Sequence, residues 1–177
     1  MFNRTTKTLT IAFTALSLSL TSLVALSQTA EEKGLEIAKQ AKARDLGWSG
    51  STADMLMILR NSQGQESTRE IKMKSLEVDG DGDKSLTIFN KPRDVKGTAF
   101  LSFSHPVGAD DQWLYLPALK RVKRISSRNK SGPFMGSEFA FEDLSSFEVE
   151  KFTYKYLAEE MLNGMKTHKV EQYPTDE

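Results

Sequence analysis

The chain has 177 residues, 24 Lys and Arg against 24 Asp and Glu, a formal net charge of +0, and no cysteine. That balance excludes a general nucleic-acid binder, which carries a strongly basic domain, and the absence of thiols excludes a disulfide framework and cysteine chemistry. What remains is long enough for one domain with a substantial core.

Arg4 and Lys7 precede an uncharged stretch from Leu9 to Ser27, and no acidic residue occurs before Glu31. Ala25-Leu26-Ser27 offers small residues at the two positions a signal peptidase reads. The pattern predicts a signal peptide over 1–27, cleaved before Gln28, and export to the periplasm of a Gram-negative envelope. An uncleaved anchor in the inner membrane, facing the periplasm, is the alternative, because the stretch approaches spanning length. No Cys follows the run, so a lipid-modified N-terminus is not expected. Removal of Arg4 and Lys7 lowers the basic count from 24 to 22 and leaves a 28–177 domain with a charge near −2.

Residues 31–44 read as a helix, with Leu35, Ile37, Ala38 and Ala41 near helical spacing, acids in the first turn and Lys42 and Arg44 in the last. From Thr52 the period changes to two. Strands are predicted over 53–60, 68–78, 85–90, 97–104, 112–116 and 121–126, separated by Gly, Pro, Asn and Asp clusters with no helix between them. Such a series reads as an antiparallel meander with a helix packed on it. Residues 127–136 read as a polar, glycine-containing loop and 142–147 as a helical turn. Strands over 149–157 and 168–173 follow, around Asn163-Gly164.

Asp79, Asp81 and Asp83 suggest calcium, but an EF-hand loop beginning there would need Gly and Glu where Lys84 and Asn90 stand, and helices on both sides. A hairpin turn explains the series better. The two histidines, His105 and His168, have no metal-ligand spacing, and no Gly-x-Ser-x-Gly elbow occurs. Ser137 beside Glu138 is left as the only trace of a hydrolase, so neither catalysis nor a cofactor is expected. Lys120, Arg121, Lys123, Arg124, Arg128 and Lys130 crowd eleven residues of a near-neutral chain. They form either a charged edge strand guarded against aggregation or a docking surface for an acidic partner or phospholipid headgroups. Met and aromatic residues concentrate in the strands, where they are either ordinary core or the adaptable wall of an acyl-sized cavity.

Three segments carry a resemblance. They are Asp94-Val95-Lys96-Gly97-Thr98, then Trp113-Leu114-Tyr115-Leu116-Pro117-Ala118-Leu119 leading into Arg121-Val122-Lys123-Arg124-Ile125, then Phe134-Met135-Gly136-Ser137-Glu138-Phe139 with Phe141-Glu142-Asp143-Leu144. In this order they resemble the periplasmic branch of the LolA-like outer-membrane lipoprotein-sorting proteins, departing at Glu138 and Ala140, where the family pattern has Asp and Thr or similar. The resemblance implies a mainly β, LolA/LppX-like curved antiparallel half-barrel with a covering helix and a hollow for acyl chains. It also implies a C-terminally truncated domain, since members look longer.

The expected function is that of a periplasmic binding or carrier protein for lipid, lipoprotein acyl chains or a similar amphiphile in outer-membrane biogenesis or sorting. An inner-membrane exporter or outer-membrane acceptor is its expected partner. Met55, Met57, Met73, Ile88, Leu101, Phe103 and Trp113 are expected to line the hollow, and Lys120, Arg121, Lys123, Arg124 and Arg128 to meet a partner or headgroup. The alternatives are an envelope accessory protein docking on an exporter through the basic surface and, after it, a lipid hydrolase.

Overall fold

The computed structural model describes residues 28–175, so the expected signal peptide lies outside the described residues. The first element is helix α1, Ala30–Arg44. Thr29 caps it by accepting from the Glu32 amide at 3.1 Å while the Glu32 carboxylate accepts from the Thr29 amide at 2.9 Å. That reciprocal capping box satisfies two otherwise orphan donors. The buried stripe is narrow, Gly34 and Ala38, so the helix can only lie flat against another element. Among the described residues no helix is long and apolar enough to cross a membrane.

Six strands follow in the predicted order. They are β1 Gly50–Arg60, β2 Glu66–Leu76, β3 Lys84–Lys91, β4 Ala99–Phe103, β5 Asp111–Leu116 and β6 Arg121–Ile125. Each pairs antiparallel with its sequence neighbours in one open, curved sheet. Side-chain chemistry closes the turns. Asn61 Oδ1 accepts from the Gln63 and Gln65 amides between β1 and β2. Between β2 and β3, Asp83 accepts from the Val78 amide and Asp81 from the Gly82 amide, so two of the serial aspartates build the hairpin loop.

The last two strands, β7 Phe152–Leu162 and β8 Met165–Pro174, form a separate two-stranded sheet. Asn163 and Gly164 supply the two left-handed residues of its tight turn. Helix α1 covers β7, with Gly34 set directly on the strand. Lys33 Nζ stands 3.5 Å above the Tyr156 ring. Tyr154 packs with Ala38 and Val149 in a small second core, where burial pushes its phenol up to about 12 and its hydroxyl donates to the Val149 carbonyl.

The segment read as a polar loop is the largest departure. Residues 127–151 form a chain of short 3-10 turns, one of them at Glu142–Leu144, where the helical turn was expected. This segment crosses the inner face of the six-stranded sheet. Phe134 is fully buried against Ile71, Phe89, Phe100, Leu114 and Ile125. The same segment ties the two sheets together. Buried Glu148 pairs with Lys42 of α1 at 3.3 Å and accepts from Ser146, as a buried carboxylate must to offset its desolvation.

A Cβ on Gly34 would stand 2.9 Å from the backbone nitrogens of both Lys155 and Tyr156. Helix propensity favours alanine over glycine, but backbone cannot yield as a flexible side chain does. Gly34→Ala is expected to destabilise the protein by about 1–3 kcal/mol through this overpacking, read as a lower urea midpoint with faster proteolysis of the 28–44 segment.

Candidate ligand-binding site

Strand register assigns the faces, because directly paired residues point the same way. Met55 pairs with Ile71 and Ile71 with Phe89; Met73 pairs with Thr87, Thr87 with Phe100 and Phe100 with Leu114. These residues form the inner face, under the Phe134–Leu144 cover. Midway along this face the apolar rows give way to Thr87, Ser102 and Gln112, all buried. Gln112 Nε2 donates to the Phe141 carbonyl at 2.9 Å and to Ser145 Oγ at 3.0 Å, which pins the cover from below. Arg69 reaches up from β2 to the Met135 carbonyl.

Between the β1–β3 end of this face and its cover lies a cavity of about 370 Å³. Met55, Met57, Ile71 and Met73 form its floor, Phe134, Phe139 and Leu144 its roof, and Trp48, Asp83, Lys84 and Asp143 stand around its rim. Thr87 also contributes to the wall, and its buried hydroxyl finds no hydrogen-bond partner among the described residues. A buried donor left unmatched in an apolar wall costs free energy. The size falls within the range of small-molecule pockets, as does the pattern of apolar walls with few polar groups.

The seven residues expected to line one hollow divide between two faces. Met55, Met57 and Met73 meet in the cavity. Leu101 pairs with Trp113 and Ile88 with Ala99 on the outer face, where the Phe103 and Trp113 rings meet edge to face at 5.3 Å. Ile88, Leu101, Phe103 and Trp113 therefore cannot share a hollow with the methionines. Both faces of β3–β5 carry large apolar side chains, so alternation alone does not say which row faces inward. Roof residues Phe134, Phe139 and Leu144 escaped the sequence reading. Their signal was present, as four bulky side chains at 134, 139, 141 and 144 inside a segment otherwise rich in Ser, Gly and charge.

The five basic residues divide too. Arg124 lies on the outer face beside Trp113 and pairs with Asp111. Lys123 points inward opposite Leu114, and Arg121 shares its side. Lys120 sits in a left-handed turn before β6, and Arg128 in the turn after it.

A family model described as "Uncharacterized protein" matches residues 81–177, more than half of the sequence. The chain belongs to this family. No curated protein matches it. A solved chain from Vibrio parahaemolyticus, described provisionally as an outer membrane lipoprotein-sorting protein domain, is 68% identical with a TM-score of 0.79, over 82% of this chain and 62% of that one. A DUF1329 family protein from Desulfovibrio piger is 30% identical with a TM-score of 0.76, over 83% of this chain and 62% of that one. The chain thus spans 62% of the length of each solved structure. An open, curved antiparallel sheet with one helix is the LolA-like arrangement that the sequence resemblance implied.

In this family member the loop bordering the cavity rim is clasped by His105. Its Nδ1 lies 3.0 Å from Asp81 Oδ1 and its Nε2 3.4 Å from Asp111 Oδ2, and Asp111 is also held by Arg124. The Asp81 hydrogen bond lifts the imidazole above its ordinary value. In return His105 holds Asp81 low, while Arg124, and then His105, hold Asp111 low. The clasp joins the β2–β3 loop to the start of β5, next to rim residues Asp83 and Lys84.

A raised histidine stabilises the fold fully below its unfolded value of 6.5 and loses that contribution as pH rises through the higher folded value. The two aspartates act oppositely, contributing above 3.8 and losing the contribution as pH falls through their lower folded values. The thermal midpoint is therefore expected to fall as pH rises from about 6.5 through the raised value of His105, and His105→Gln to flatten that slope. An unchanged slope in the variant would exclude the clasp as its origin. Independently, Thr87→Val removes the unmatched hydroxyl and is expected to stabilise the protein by about 1 kcal/mol in urea unfolding.

Proposed function

We propose that the chain binds a lipid, the acyl chains of a lipoprotein or a comparable amphiphile in the methionine-floored cavity, and carries it through the periplasm in outer-membrane biogenesis or sorting. The observation that carries this reading is the cavity itself, an apolar space of about 370 Å³ left between sheet and cover beside the Phe134 aromatic cluster. The description of the Vibrio parahaemolyticus relative as a lipoprotein-sorting domain supports it. An inner-membrane exporter would supply the cargo and an outer-membrane acceptor receive it. The work done is binding, and it needs no cofactor.

The physics is that of solvent exchange. Each methylene moved from water into the cavity contributes about 0.8 kcal/mol, so a short stretch of chain suffices for micromolar affinity before the costs of association. Unbranched methionine side chains rearrange cheaply around guests of different shape, which suits cargo defined by its grease rather than its outline. The roof is built from short turns, and its turns can shift without unpairing a strand.

Met55 is 45% exposed at the cavity mouth, so folding tolerates a change there. Met55→Glu is expected to weaken binding of a fluorescent fatty acid about tenfold, the equivalent of losing one side chain's apolar contact. Leu101→Gln, on the outer face, is expected to leave it unchanged. Wild-type protein that stays dark with the probe, or equal weakening by both substitutions, would remove the cavity from the function.

A further inference from the structure

A second hollow, of about 450 Å³, opens at the other end of the same inner face. Its floor is apolar, built from Leu114, Ile125 and Phe141, the first two buried. Lys123 and Arg128 stand over that floor, with Asn129 and Ser131 beside them, and no carboxylate lines it. Neither cation takes part in an ion pair among the described residues. Their neighbours do: Arg124 pairs with Asp111 and Lys130 with Glu142. Among the described residues, Arg124 and Lys130 of this six-cation run are ion-paired, and of the other four, Lys120, Arg121, Lys123 and Arg128, it is Lys123 and Arg128 that converge on this apolar floor. Lys123 is the more telling of the two. Strand alternation places it on the inner face directly opposite buried Leu114, in the row continued by Phe100, Thr87 and Met73.

We propose that this hollow is a subsite for an anionic group, phosphate or carboxylate, carried by an amphiphile whose first carbons rest on Leu114 and Phe141. Lys123 and Arg128 grip the anion, the ammonium as a point charge and the guanidinium through its planar fork of donors. The two hollows are separated by the Phe134 and Phe141 rings, whose centroids lie 5.5 Å apart, Phe134 roofing one and Phe141 flooring the other. The inference deepens the carrier reading by naming the class of cargo, anionic rather than neutral amphiphiles, and rests on that reading only for the apolar part of the ligand.

The test uses calorimetric titration of the full chain with decyl phosphate, with its neutral counterpart decyl glucoside, and with inorganic phosphate. Lys123 and Arg128 are both exposed, so Lys123→Gln with Arg128→Gln leaves the fold intact. Decyl phosphate is expected to bind at least about tenfold more tightly than decyl glucoside, an advantage that the double variant abolishes and that shrinks with added salt. Leu101→Gln, on the outer face, is expected to leave that preference in place. Inorganic phosphate bound with the same dependence on Lys123 and Arg128, in protein that ignores both decyl ligands, would uphold the anion site while sinking the carrier reading. Equal affinity for the two decyl ligands would overturn the anion site and leave the carrier reading standing. A phosphate preference that survives the double variant would overturn the assignment of these two residues.

Discussion

The structure depends on the seating of Phe134 in the concave face of the six-stranded sheet. An open antiparallel sheet has one face that must be covered, and α1 lies instead on β7, where Gly34 and Ala38 fit it. Cover comes from a segment with no long helix or strand of its own. Phe134 has 0% exposure and meets Phe89 at 5.8 Å and Phe100 at 5.3 Å between ring centroids, with Phe141 edge-on behind it. Burying such a ring contributes roughly 1.5–3 kcal/mol by area and somewhat more through tilted ring contacts. One side chain thereby closes the core and decides where space remains. The two hollows are what a single aromatic wedge leaves uncovered on either side.

The inner face is matched to a cover of this kind. A helix laid on the sheet would satisfy its own backbone and ask for an apolar surface. A run of short turns leaves carbonyls and amides unpaired, and these must find partners below. Gln112 meets the Phe141 carbonyl, Arg69 the Met135 carbonyl, and Ser104 accepts from the Ser146 amide. Hence the polar row of Ser102, Ser104 and Gln112 in the middle of what would otherwise be a hydrophobic surface. Thr87, in the neighbouring row between Met73 and Phe100, faces the cavity beyond the reach of the cover, and its hydroxyl is left unmatched among the described residues.

That polar row explains which parts of the molecule were legible in the sequence. Strand positions, the helix with its charged ends, the Asn163-Gly164 hairpin and the turn role of the serial aspartates follow from local chemistry, and the structure places all of them close to where local chemistry puts them. Inward direction does not follow from local chemistry in β3–β5. There the outer row, Leu86, Ile88, Leu101, Phe103, Trp113 and Tyr115, is bulkier than the inner row of Thr87, Phe89, Phe100, Ser102, Gln112 and Leu114. A rule that sends the greasier row inward selects the wrong face, because it ignores a cover that needs hydrogen bonds. In β2 Lys72 and Lys74 alternate with Met73, whereas in β1 Leu56 and Ile58 alternate with Met55 and Met57, and there it is the pairing of Met55 with buried Ile71 that sets the inner face. The cover itself stayed illegible for a related reason. Its four bulky residues are spaced by turns, with Met135 in a left-handed conformation, and follow neither the helical nor the strand period.

A cover held by rings and a few side-chain hydrogen bonds has consequences for exchange. Lifting an element of a β-sheet breaks a ladder of backbone bonds at once, whereas lifting the 134–144 segment from this face trades apolar contacts for whatever occupies the space. On the carrier reading an acyl chain arriving beside Phe134 replaces one hydrocarbon surface by another, so the net cost of moving the ring is small compared with exposing the same floor to water. The buried Glu148–Lys42 pair and the Lys151–Asp110 pair hold the far end of the segment to α1 and to the start of β5. On the same reading, the stretch free of those two ion pairs, between Gly132 and Ser145, is the part that would yield. A cover anchored at one end by charge and seated at the other by grease can yield to a greasy guest while remaining closed to solvent.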